Sequence, residues 1–253
     1  MKIDIENKNI QEIFDIEQYC QDKNIDINQV KKLCCRNNYI IELKGLDKLV
    51  NLEYLYCNYN KIKALNGLDK LVNLEVLDCS SNKITELEGL DKLVNLEVLY
   101  CNYNKIKALN GLDKLVNLVW LYCNYNKIKA LNGLDKLVNL VWLNCSYNEI
   151  ANLNLNKLIN LKCLYCSYNE IKALNGLDKL VNLVWLNCND NKIANLNLNK
   201  LINLKCLYCD NNKLTELKGL DKLVNLEVLD CSSNKITELE GLDKLVNLKE
   251  LKK

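Results

Sequence analysis

The chain has no histidine and no proline, one arginine, one phenylalanine, one methionine and only eight glycines in 253 residues. Without histidine, the side chain that most often serves as a general base near neutral pH, and most often holds a metal, is missing. A charge bias is missing too. The 34 basic and 32 acidic residues leave a net charge of +2, which argues against wholesale binding to nucleic acid or to an anionic membrane surface. No stretch approaches the ~18 apolar residues of a membrane span, and the opening residues MKIDIENKNI lack the apolar run of a secretion signal. The expected setting is therefore intracellular, cytoplasmic, with no membrane partner.

What the chain does have is repetition. NLEYLYCNYNKI at 51–62 returns as NLEVLYCNYNKI at 95–106 and as NLVWLYCNYNKI at 117–128. The pattern L-x-x-L-x-C-x-x-N-x-I/L occurs ten times, beginning at Val30, Leu52, Leu74, Leu96, Leu118, Leu140, Leu161, Leu183, Leu204 and Leu226, with a fragment from Leu248. The step is constant except after Leu140 and Leu183, where it is one position shorter. A fixed period within the range of roughly 20–50 residues marks a repeat architecture, and here a solenoid, in which each coil buries its apolar face only against its neighbours. All eight glycines, from Gly45 to Gly241, fall in one slot of the longer repeats, and the two shorter repeats read NLNLNKL there. Such regular placement disfavours a phosphate-binding glycine loop. Asn66-Gly67 resembles a hairpin signal, but the tandem register supplies no antiparallel partner.

The pattern resembles a leucine-rich repeat over residues 30–251. Its length and the tail I-x-x-L-x-G-L-x-x-L-x-x-L resemble the subtype found in phosphatase-regulator and internalin proteins. Cysteine at the sixth position, in text rich in Asn and Lys and nearly free of Arg, is similar to arrays of giant DNA viruses and AT-rich protists. The resemblance implies an α/β leucine-rich repeat solenoid, a curved right-handed superhelix. A parallel β-sheet would line its concave face, and short 3-10 or irregular segments its convex side.

Strand parity supports this independently. In Leu52-Glu-Tyr-Leu-Tyr-Cys57, Leu55 and Cys57 share one face, and Tyr54 and Tyr56 the other. One asparagine per coil, from Asn38 to Asn234, would form a ladder that satisfies backbone groups. Residues 1–29 break the period. Asn9-Ile-Gln-Glu12 resembles a capping box, predicting a helix over Ile10–Gln21 within a helical cap at 1–29, ahead of the array at 30–253. The last coil ends in LKELKK without a polar capping unit.

Ten of the 14 cysteines hold the sixth position. Stacked strands bring their Cα atoms to ~4.8 Å, within disulfide range, but parallel side-chain vectors keep the sulfurs apart. The expectation is reduced, buried thiols acting as small apolar side chains. Cys163-Leu-Tyr-Cys166 and Cys206-Leu-Tyr-Cys209 have zinc-site spacing. Parity turns Cys163 and Cys206 outward and Cys166 and Cys209 inward, so no metal site is expected.

The outward positions carry the aromatic residues. Position 3 holds Tyr54, Trp120, Trp142, Trp185 and the two outward cysteines. Position 5 holds Cys34, Tyr56, Asp78, Tyr100, Tyr122, Tyr165 and Tyr208, and position 8 adds Tyr59, Tyr103, Tyr125, Tyr147 and Tyr168. Trp and Tyr are enriched at binding hot spots. Val119, Val141 and Val184 precede the tryptophans, while toward the ends the same position is mostly charged, an apolar middle with a polar rim. These residues read as a non-catalytic surface for a protein partner, with Tyr54, Tyr56, Tyr100, Trp120, Tyr122, Tyr125, Trp142, Tyr165, Trp185 and Tyr208 as contacts and no cofactor. The alternative is a structural protein that self-associates through its C-terminal end. Lysines beside tyrosines, such as Lys61 and Lys105, suit single-stranded nucleic acid, but Glu149 and Glu170 interrupt the row. Asp190 and Asp210 on neighbouring coils are the nearest approach to a cation-binding or proton-sharing pair.

Overall fold

The computed structural model describes residues 1–237 and 242–253; Gly241, the last member of the glycine slot, lies outside them. The chain forms two compact units, Met1–Lys127 and Ile128–Lys253.

In the first unit, strands β1 (Lys2–Asp4), β3 (Lys32–Cys34), β5 (Tyr54–Tyr56), β6 (Val76–Asp78), β7 (Val98–Tyr100) and β8 (Trp120–Tyr122) pair side by side, all parallel. The pairing joins equivalent repeat positions: Tyr56 faces Asp78, and Asp78 faces Tyr100. Slipping this register by a single position would turn every leucine to solvent. In the second unit, β9 (Trp142–Asn144), β10 (Cys163–Tyr165), β11 (Trp185–Asn187), β12 (Cys206–Tyr208), β13 (Val228–Asp230) and β14 (Glu250–Lys252) follow the same rule.

The core lies behind each sheet. Leu55, Cys57, Leu77, Cys79, Leu99 and Cys101 are fully buried, as are Leu52, Ile62 and Leu71 around the coil. Burying each such leucine or isoleucine is worth about 1.5–3 kcal/mol. At the back, Gly-Leu-Asp-Lys makes one 3-10 turn, at Leu68–Lys70 for example, entered through Gly67 at φ +84°. A Cβ on Gly67 would stand 2.8 Å from the Asp47 amide nitrogen of the previous coil, so both conformation and space select glycine there. In the shorter repeats Asn154 and Asn197 adopt φ 48° and 46°, since asparagine tolerates the left-handed region.

The asparagine ladder closes the polar accounts. Asn82 accepts from the Ile62 N–H at 2.9 Å and donates to the carbonyls of Cys57, Cys79 and Ser80 at 3.0, 3.1 and 3.1 Å. Asn60, Asn104, Asn169, Asn191 and Asn212 repeat the arrangement. A second ladder runs outside, where Asn73, Asn95 and Asn117 donate to the carbonyls of Val50, Val72 and Val94.

The N-terminal segment differs from the expected helix over Ile10–Gln21. Residues Gln11–Asp15 form β2, paired in parallel with β4 (Tyr39–Lys44), and helix α1 occupies only Ile16–Asp22. Glu12 takes φ 55°, which no helix permits. The N-cap is Asp15, which accepts from the Gln18 N–H at 3.1 Å and pairs with Lys44 at 2.7 Å. Asn9 caps nothing; the Asn38 side chain takes the Lys8 and Ile10 amides instead.

Candidate functional site

The open face of each sheet presents repeat positions 3 and 5, because short strands with a buried central leucine turn both flanking side chains outward. Position 8 lies just past the strand and is left-handed in all ten repeats, with φ near 51–55° at Asn37, Tyr59, Ser81, Tyr103, Tyr125, Tyr147, Tyr168, Asp190, Asn211 and Ser233. Asn and Asp suit that conformation, whereas tyrosine is strained in it. Stacking across coils offsets the strain: Tyr103 lies 4.2 Å from Tyr125, and Tyr147 4.1 Å from Tyr168, each pair tilted by 11°. These tyrosines therefore serve the fold as well as the surface. The left-handed slot was not legible in the sequence, where tyrosine is its commonest occupant.

In the first unit Tyr100 stacks on Tyr122 at 4.7 Å and 20°, and Trp120 is 44% exposed. Among the described residues Tyr54 and Tyr56 join no ring cluster. The Tyr54 hydroxyl donates to Glu75 at 2.9 Å, and the Lys32 ammonium stands 4.8 Å from the Tyr56 ring and 5.8 Å from that of Tyr54. In the second unit four rings make one zigzag row: Trp142 to Tyr165 at 5.2 Å, Tyr165 to Trp185 at 6.1 Å, and Trp185 to Tyr208 at 5.2 Å. All four are half-buried by one another and by the sheet. Tyr125 sits apart from the position-5 row, in its stack with Tyr103.

The thiols follow parity throughout the strands, and one of those on the open face is covered. Cys166 and Cys209 are fully buried, and Cys163 and Cys206 stand half-buried on the open face, on either side of Trp185. Each Cys-x-x-Cys pair thus straddles the sheet and cannot converge on one ion. Cys34, expected outward, is buried. The sheet continues past its strand to β1, which sets Asp4 against it, and the Asp4 and Glu6 carboxylates come within 4.8 Å of its sulfur. Burial pushes the Cys145 thiol up to about 12, and burial first, then the adjacent thiols, raises Cys166 and Cys188 as well, so these sulfurs stay protonated and unreactive.

Asp210 has its carboxyl raised by burial, then by Asp230 and Asp190, while Asp190 accepts from the Asn211 amide. The pair contemplated from the sequence is thus diluted by a third carboxylate and an amide donor. Asp78 is raised chiefly by burial. Its Oδ1 accepts from the Ser80 N–H at 3.1 Å and the Ser80 hydroxyl at 2.5 Å. Among the described residues no helix is long and apolar enough to cross a membrane.

Parallel coils one repeat long, an inward Leu-x-Cys stripe and an asparagine ladder together define the architecture. The fold is a leucine-rich-repeat solenoid. The family model for Leucine Rich repeats (2 copies) matches residues 28–70 and 72–114. A leucine-rich-repeat protein of Leptospira interrogans is 29% identical, with a TM-score of 0.83 over 88% of this chain and 60% of its own. The functional domain of InlJ from Listeria monocytogenes, which includes a cysteine ladder, is 28% identical, with a TM-score of 0.87 over 99% of this chain and 52% of its own. Internalin C2 of the same organism is 28% identical, with a TM-score of 0.69 over 73% of this chain and 82% of its own. The chain thus spans only 60% and 52% of the first two proteins. No curated protein matches at the level of sequence. Leucine-rich-repeat proteins are generally protein-interaction modules, and the fold is typically non-enzymatic.

Proposed function

We propose that the chain is a non-catalytic module that docks a partner protein against the aromatic side of its sheets. The row Trp142–Tyr165–Trp185–Tyr208 carries the reading. Rings held in place by mutual stacking lose little freedom on binding and present wide apolar edges, the properties of interface anchors. Trp120, Tyr122, Tyr125, Tyr100, Tyr54 and Tyr56 would extend the contact surface of the first unit. No cofactor enters the proposal. The setting is a reducing one inside the cell, which suits the two outward thiols, Cys163 and Cys206. The test compares wild type with Trp120→Ala/Trp142→Ala as bait in affinity capture. Loss of specific partners from the variant supports docking through the rings, and an unchanged set of partners removes their role.

A second reading is self-association through the last coil, favoured by Val246 at 78% and Leu251 at 39% exposure. Sedimentation of wild type against Leu245→Glu and Leu248→Glu separates the two. A concentration-dependent oligomer that these changes abolish would favour assembly.

A further inference from the structure

The coils 74–95 and 226–247 are identical at every position, yet their aspartates meet different neighbours. In the second coil, Asp230 Oδ1 accepts from the Ser232 N–H and hydroxyl, at 3.2 and 2.7 Å, and its Oδ2 lies 3.8 Å from the Lys252 ammonium of the adjoining strand. In the first coil, Asp78 makes the same Oδ1 bonds to Ser80. Where Lys252 would stand, however, the adjoining strand carries Tyr100, and on the other side it carries Tyr56. Among the described residues no cation pairs with Asp78. Arg36, the nearest basic influence on it, is bound to Glu6 at 2.7 Å.

The local geometry has the shape of a receptor for a cation. Tyr56 and Tyr100 stand two strands apart, about 9.6 Å by sheet spacing, with the shorter aspartate between them. A cation centred above Asp78 would lie about 4.8 Å from each ring, inside the ~6 Å reach of a cation–π contact. Tyr56 already receives one cation at that range, with Lys32 at 4.8 Å from its centroid. A guanidinium is flat enough to stack between two rings while its N–H groups point at a carboxylate.

We infer that Asp78, Tyr56 and Tyr100 form a subsite for a basic side chain of the partner protein, arginine fitting best, in the place that Lys252 fills intramolecularly beside Asp230. The subsite rests on the docking reading above and adds to it a charge requirement on the partner.

The probe is N-acetyl-arginine methylamide, titrated into the full chain up to ~0.1 M and followed by amide NMR. Arms with the lysine analogue and with the uncharged citrulline analogue run alongside. Saturable shifts at residues 78–80 and at Tyr56 and Tyr100 are expected with arginine, weaker ones with lysine and none with citrulline. Asp78→Asn should weaken arginine binding at least ~10-fold. Asparagine is tolerated at this strand position, since Asn144 and Asn187 make the equivalent turn bond to Ser146 and Asn189 at 3.2 Å. Tyr100→Lys, which supplies an internal ammonium as Lys252 does, should abolish binding. Absence of saturable shifts, equal response to citrulline, or unchanged binding by Asp78→Asn overturns the subsite. None of these outcomes touches the aromatic anchors, whose failure is read separately by capture with the tryptophan variants.

Discussion

Removing one asparagine from the inner ladder should cost far more than removing one from the outer ladder, and the structure says why. Asn82 makes four hydrogen bonds, but their losses are unequal. Without Asn82 the Cys57 carbonyl keeps the Asn60 amide, the Cys79 carbonyl keeps the Asn104 amide, and the Ser80 carbonyl keeps the Tyr59 N–H. Only the Ile62 N–H, held at 2.9 Å in a buried position, loses its acceptor. An orphaned buried amide costs about 1–3 kcal/mol, and three carbonyls each losing one of two partners add a smaller amount. Asn82→Ala is therefore expected to destabilise by about 2–4 kcal/mol. Asn95 is exposed and makes one bond, to the Val72 carbonyl at 3.0 Å, which water replaces on truncation, so Asn95→Ala should cost about 0.5 kcal/mol. Urea unfolding followed by circular dichroism gives the difference in stability. Because repeat arrays open locally, hydrogen exchange at the Ile62 amide should report the loss where it occurs. Asn82→Asp gives a sign check. It keeps an acceptor for Ile62 but sets a second carboxylate oxygen against three carbonyls, which raises its folded pKa. Its defect should then be smallest below the unfolded carboxylate value and grow as pH rises through the folded one. Equal costs for Asn82→Ala and Asn95→Ala would refute the reasoning, since burial of the satisfied amide is all that separates them.

Two further outcomes follow from burial. Asp78 is raised by desolvation, so its ionisation opposes folding: Asp78→Asn should be more stable than wild type at neutral pH, and the gap should shrink as pH falls through the raised folded value and be gone below 3.8, read by urea midpoints across the acid range. In native protein a thiol reagent should reach Cys163 and Cys206 first, slowly because burial raises both thiols, while the remaining cysteines react only after unfolding. Native labelling of Cys166 or Cys209 by mass spectrometry would contradict the inward parity.

Strand parity and the asparagine ladder were legible because the chain states them ten times and a period of two admits one inward set. Tyr100, Trp142 and Trp185 consequently stand on the face that their spacing implies. The N-terminal residues carry no such redundancy. There the contest between helix and strand for Gln11–Asp15 was decided by a partner beyond the next helix, since Gln11 pairs with Tyr39, and no local pattern reports it. The burial of Cys34 was hidden for the same reason: it keeps the face its parity implies, but its cover comes from a strand that the repeat does not contain. The left-handed position 8 stayed hidden because tyrosine, unlike glycine or asparagine, does not announce a positive φ. Ring stacks between coils accompany it at Tyr103, Tyr125, Tyr147 and Tyr168, while Tyr59 adopts it with no ring stack among the described residues.

The two identical coils separate what a repeat encodes from what its surroundings add. Leu77 and Leu229, and Cys79 and Cys231, are buried alike, and Asn82 and Asn234 donate to the equivalent three carbonyls, so the framework tolerates a change of neighbour. Asp78 and Asp230 meet different neighbours, because the open face is shared between strands and each side chain there is completed by the strand beside it. Chemistry on this face is therefore a property of neighbouring pairs. A substitution at position 5 changes the environment of the adjoining coils more than that of its own, and coupling should appear between Tyr56, Asp78 and Tyr100 while fading beyond one strand. A near-uniform array can in this way acquire distinct sites without altering the residues that hold it together.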